Sequence, residues 1–113
     1  MPWIWLGTSQ TLFSSQGSDL IVYQNNKHTK TLSLWQQQMV FRGHQQDISR
    51  FVVCGSQLIS SSMDKTIRIW NLLSGKCNAV LHGHADDVSD VDGWGDIVVS
   101  GSRDKTVKVC FIK

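Results

Sequence analysis

His44, Ser60 and Asp64 are the side-chain types of a hydrolytic triad, and His84, Ser100 and Asp104 repeat them 40 residues later. In such a triad a histidine takes the proton of a serine hydroxyl while a carboxylate orients the imidazole, and the serine oxygen attacks an acyl carbon. The nucleophile must be exposed on one strained turn, and nothing selects for two such sites at a fixed offset. The repetition points instead to structure: each Asp–His–Ser set satisfies polar groups buried between repeated units. No enzyme activity is expected, and no catalytic residue is assigned.

Other chemistry is thin. Cys77, His82, His84 and Cys110 are zinc-ligand types, but only His82 and His84 are closely spaced and His84 belongs to the repeated set. No metal or other cofactor is expected, and no GxGxxG or P-loop pattern occurs. Arg68, Lys105 and Lys108 flank or alternate with Ile and Val, which reads as a solvated strand face. A net charge of +2 demands no nucleic-acid partner. Cys54, Cys77 and Cys110 are an odd set without CxxC spacing. They read as buried reduced thiols, as suits a cytoplasmic or nuclear protein. The opening MPWIWLGTSQ lacks the charged n-region and apolar run of a signal peptide. No run is long enough to span a membrane.

The elements that position these residues are strands. Glu is absent and Ala occurs only at Ala79 and Ala85, so two of the best helix formers are nearly missing. Val, Ile, Thr, Phe and Trp are plentiful, as strands prefer. Shifted by 40 residues, the chain aligns with itself without a gap. Gly43-His44 falls on Gly83-His84, Asp47-Ile48-Ser49 on Asp87-Val88-Ser89, and Asp64 to Ile69 on Asp104 to Val109. In the middle copy, strands are expected near Ile48 to Val53, Leu58 to Ser62, Thr66 to Asn71 and Cys77 to Leu81, with turns at Gly55-Ser56, Met63-Asp64 and Ser74-Gly75. A third, decayed copy lies upstream, where Lys30 to Trp35 matches Lys65 to Trp70 as a third strand and the turn before a fourth strand is missing.

A 40-residue period with Gly-His near one end and Trp-Asn near the other resembles the WD40 repeat. The resemblance implies an all-β partial propeller of about two to three four-stranded antiparallel blades in an incomplete ring. The blades would be residues 1–42, degenerate; 43–82, complete; and 83–113, without a final strand. It also implies a hydrogen-bonded structural tetrad in each repeat. The middle copy supplies His44, Ser60, Asp64 and Trp70. The last supplies His84, Ser100 and Asp104, with Cys110 where the tryptophan belongs. The first has Trp35 but Thr29 at the Asp position.

The opening MPW and the segments DLIVYQ, GHQQDISRFV and IVVSGSRDKTVKV narrow the likeness to the F-box/WD-repeat group. That resemblance implies the substrate-recognition subunit of an SCF-type ubiquitin ligase, whose F-box binds Skp1 and whose propeller holds a protein substrate. No helical, Leu-Pro-rich F-box segment precedes the repeats, so Skp1 would require an F-box outside this chain, which reads as a fragment or truncated product. The alternative is a WD scaffold in an unrelated multiprotein complex.

In such propellers the d–a and b–c loops share a top rim, where related F-box/WD proteins use Arg at two positions to read a degron. Those positions here are Ser49 and Ser89, then Met63 and Arg103, with Asp47 and Asp87 nearby. Only Arg103 keeps phosphate-reading chemistry, while Asp47, Asp86 and Asp87 would repel a phosphate. A phosphodegron is therefore not supported by these blades, and a basic or neutral peptide fits them at least as well. Trp94, in a Gly-Trp-Gly turn, is expected to pack against a neighbouring blade, the alternative being an anchor for a partner. The last blade should offer an open third-strand edge and a bare face carrying residues such as Val91, Val98 and Phe111. The missing blades would come from the rest of a longer protein.

Overall fold

The computed structural model describes residues 4–8, 11–24 and 36–112. These residues form strands and no helix. The first sheet joins β1 (Ile4–Thr8), β2 (Thr11–Gln16), β3 (Asp19–Gln24) and β4 (Gln36–Phe41), each antiparallel to the next. The second joins β5 (Ile48–Cys54), β6 (Gln57–Ser62), β7 (Ile67–Asn71) and β8 (Cys77–Leu81) in the same meander. The third contains β9 (Val88–Trp94), β10 (Ile97–Ser102) and β11 (Val107–Phe111), with no fourth strand among the described residues.

The expected strands of the middle copy therefore stand to within a residue. The first sheet differs from expectation. Asp19–Gln24 takes the third place, and Gln36–Phe41, directly after Trp35, is itself the fourth strand. The Lys30 to Trp35 segment and Thr29 lie outside the described residues.

Two apolar cores hold the sheets together. Phe13, Leu20 and Phe41 of the first sheet close on Ile48, Phe51, Leu58 and Trp70 of the second. Ile59, Ile67 and Ile69 of the second close on Val88, Val91 and Val98 of the third. Strand alternation sends successive side chains to opposite faces, so the middle sheet feeds both cores. β9 runs so close to β6 that a Cβ on Gly93 would fall 2.5 Å from Ile59 Cδ1.

The third sheet's far face has no such cover. Ile59, Ile67 and Ile69 are 1%, 4% and 1% exposed, while their counterparts 40 residues on, Val99, Val107 and Val109, are 38%, 71% and 60% exposed. Trp94 and Phe111 are likewise open. This corrects the expectation for Val91 and Val98. Both point to the inner face and are buried against the middle sheet, and only Phe111 of the three is bare. Trp94 packs on no neighbour here. Its counterpart Cys54 lies against the second core, so the position of Trp94 is one that a following sheet would cover.

Candidate functional site

The two Asp–His–Ser sets form the same structure twice. His44 Nδ1 lies 2.9 Å from Asp64 Oδ2 and its Nε2 lies 2.7 Å from Ser60 Oγ. Asp64, an acceptor, fixes the proton on Nδ1, so Nε2 accepts from the Ser60 hydroxyl. Trp70 Nε1 then donates to Ser60 Oγ at 2.9 Å. The chain of bonds runs from strand β7 through β6 to the loop before β5, and His44, Ser60 and Trp70 are all buried. In the third sheet His84 Nδ1 lies 3.0 Å from Asp104 Oδ2 and Nε2 lies 2.8 Å from Ser100 Oγ. With Cys110 in the tryptophan position, nothing among the described residues donates to Ser100 Oγ.

The carboxylates also tie loops together. Asp64 accepts from the Gln45 amide and from the amide and hydroxyl of Thr66, and Asp104 does the same with Ala85 and Thr106. Burial alone would raise the Asp64 carboxyl, but bonds from Thr66, Gln45 and His44 together outweigh it and hold the group down at about 2. The Thr106 hydroxyl and the Ala85 amide keep Asp104 well below the usual carboxylate range. Burial lowers the His44 imidazole below its ordinary 6.5, although Asp64 pulls the other way. A buried neutral histidine whose serine is bonded to an indole is a strut between loops, with no open face for a substrate carbonyl.

The struts fix one rim. The Met63 amide donates to Asp47 O at 2.9 Å, and the Arg103 amide donates to Asp87 O at 3.0 Å. The 42–47 and 63–66 loops thus lie side by side, as do the 82–87 and 103–106 loops. Asp47, Met63, Ser89 and Arg103 are exposed there and Asp87 is half-buried. Arg103 Nη1 stands 3.9 Å from Asp87 Oδ2, so its charge is already partly balanced. Ser49 departs from the rim set. Its hydroxyl bonds Ser61 Oγ at 2.9 Å and the Val88 carbonyl, which joins the second sheet to the third.

Sequence reasoning also missed the place of Arg68. It is half-buried rather than solvated, its guanidinium carbon 5.8 Å from the centre of the Trp70 ring, with Nε buried and unbonded. The signal was available, since Arg68 lies two residues from Trp70 on the same face of β7. Lys105 and Lys108 are exposed. Cys54, Cys77 and Cys110 are free thiols, half-buried rather than fully enclosed. The described residues gather no cluster of three metal-ligating side chains, and no helix among them is long and apolar enough to cross a membrane.

The family model for the WD domain, G-beta repeat, matches residues 35–71 and 75–110. These spans cover more than half of the chain, which belongs to the WD40 family. Each matched unit begins at or near the outer strand of one sheet and continues through the first three strands of the next, so the repeat itself joins blade to blade. The fold is that of the computationally designed Ika4 protein, at 25% identity and a TM-score of 0.81 over 97% of this chain and 64% of that one. The computationally designed Ika8 protein matches at the same identity and TM-score, over 96% of this chain and 32% of that one. The chain therefore spans less than two thirds of either. No curated protein matches it. As WD repeats, these sheets form a protein–protein interaction module.

Proposed function

We propose that this wedge is part of the substrate-recognition propeller of an SCF-type ubiquitin ligase, acting in the cytoplasm or nucleus. It would hold a protein substrate non-covalently on the rim around Asp47, Met63, Asp87, Ser89 and Arg103. The observation that carries recognition at this rim is its rigidity: each pair of neighbouring loops is locked by a backbone bond and a buried His–Asp strut. Rigid presentation lowers the ordering entropy of binding. The ligase reading rests on the resemblance of the MPW opening and the DLIVYQ segment to the F-box/WD-repeat protein dactylin. In this reading Skp1 is reached only through an F-box elsewhere in a longer protein, and further blades complete the ring. Arg103 already faces Asp87, and Asp47 and Asp86 share the rim loops with Lys65 and Lys105, so the rim is mixed in charge and calls for no phosphorylated segment; the proposed substrate segment is basic or neutral.

The test is photo-crosslinking in cells from position 87 or 103, with position 96 on the opposite turn as control. The proposal expects a protein trapped from the rim only, whose half-life lengthens when the gene is silenced. Crosslinks of equal yield from position 96 would overturn the rim, and an unchanged half-life would overturn the ligase role.

A further inference from the structure

A notch of about 420 Å³ opens between the second and third sheets, where Cys110 replaces the tetrad tryptophan. The molecule itself shows what belongs there. In the middle repeat Trp70 lies against Phe41, ring centres 5.4 Å apart, packs in one core with Leu58, lies under Arg68 and donates to Ser60. Forty residues on, those four places hold Leu81, Val98, Lys108 and Ser100, and all four line the notch together with His84 and Cys110. An apolar wall, the cation, the hydroxyl and its histidine are kept, while Cys110 replaces the indole, Leu81 stands in the place of the Phe41 ring, and no fourth strand lies beside β11 among the described residues.

We propose that this notch is a binding site for an indole, a flat aromatic ring that donates one hydrogen bond. The proton inventory sets the preference for a donor. His84 Nδ1–H donates a hydrogen bond to Asp104, so Nε2 accepts from Ser100, and the lone pairs of Ser100 Oγ have no donor among the described residues. Ser100 is only 3% exposed, so an unmade bond here is felt. Lys108 lies alongside, its Cε 3.7 Å from where a Cβ on Gly83 would stand. Its ammonium can settle over an aromatic face as Arg68 does over Trp70. The notch is partly open, and its apolar wall of Leu81 and Val98 beside one unbonded acceptor offers such a ring both contact and a hydrogen bond.

The test is saturation-transfer NMR with equilibrium dialysis on the full chain, with free indole as the probe. Indole should bind, and 1-methylindole, which has the shape but no N–H, should bind about three- to tenfold more weakly, as loss of one hydrogen bond predicts. Ser100→Ala should reduce indole binding to the level of 1-methylindole. Cys110→Trp should fill the notch, abolish indole binding and raise the melting temperature, which separates occupancy from misfolding. N-acetyl-tryptophanamide in a parallel arm distinguishes the source: binding comparable to indole means that the notch receives a tryptophan side chain on a peptide, and binding of indole alone means a small molecule. Failure of indole to bind, or binding unchanged in Cys110→Trp, overturns the proposal.

Discussion

The indole nitrogen of Trp70 ends 2.9 Å from Ser60 Oγ, and 40 residues on no nitrogen among the described residues donates to Ser100 Oγ. The two polar networks are therefore equal in three members and unequal in the fourth. In the complete propeller, Asp64→Ala removes the partner of a buried histidine inside a complete network, and should destabilise by about 1–3 kcal/mol. Asp104→Ala acts on a network already open at one end and should have the smaller effect. Urea melts of the two variants decide the matter, and greater damage from Asp104→Ala would show that the indole adds nothing to the strut.

Acid should unfold the chain in two stages. His44 has a folded pKa below 6.5 and Asp64 one near 2, below its ordinary 3.8. Both groups bind fewer protons folded than unfolded, so stability rises with pH through each window and falls as pH is lowered. The first loss begins below 6.5, as the histidine of the unfolded chain becomes charged. The second runs from 3.8 towards 2, as Asp64 is protonated. Melting temperatures recorded across this range should show both declines, and His44→Gln should shrink the upper one while leaving the lower. A flat melting temperature between the two windows and neutrality would contradict the burial argument.

Binding should depend on the rim rather than on the faces. Arg103→Ala and Asp87→Lys alter exposed or half-exposed side chains whose pairing, at 3.9 Å between partly solvated groups, contributes little to folding. Each should weaken capture of a rim partner several-fold with the melting temperature unchanged. Quantitative pull-down of the crosslinked partner, with a thermal melt of each variant, measures both. Equal recovery from wild type and variants would remove the rim as the binding surface.

Much of this was written in the spacing of residues. The 40-residue offset located the polar networks, because their hydrogen bonds require the same residue types at the same places in each sheet. It also exposed the Trp70-to-Cys110 change. Which side of each strand meets which neighbour was not legible. Val98 and Val99 have the same side chain, and only the three-dimensional order of sheets makes the first 1% and the second 38% exposed. In the first sheet, hydrogen-bond register pairs Asp19–Gln24 with Gln36–Phe41, a pairing between segments distant in sequence that the repeat offset does not show. Ser49 looked available at a rim position because its own neighbour in the next sheet, the Val88 carbonyl, is distant in sequence.

Mutual cover holds the fold together: each sheet is stable because the next one closes its apolar face. Val99, Val107 and Val109 form a face whose counterparts in the middle sheet, Ile59, Ile67 and Ile69, are buried; Trp94 and Phe111 lie open on the same sheet, beside a β11 edge that pairs with no further strand among the described residues. Size-exclusion chromatography with light scattering on the isolated 113-residue chain measures this directly. The predicted result is a mass above 12.7 kDa, from aggregation or a ring of copies, with Val107→Asp/Val109→Asp altering the distribution. A sharp peak at 12.7 kDa that melts cooperatively as a monomer would contradict the account.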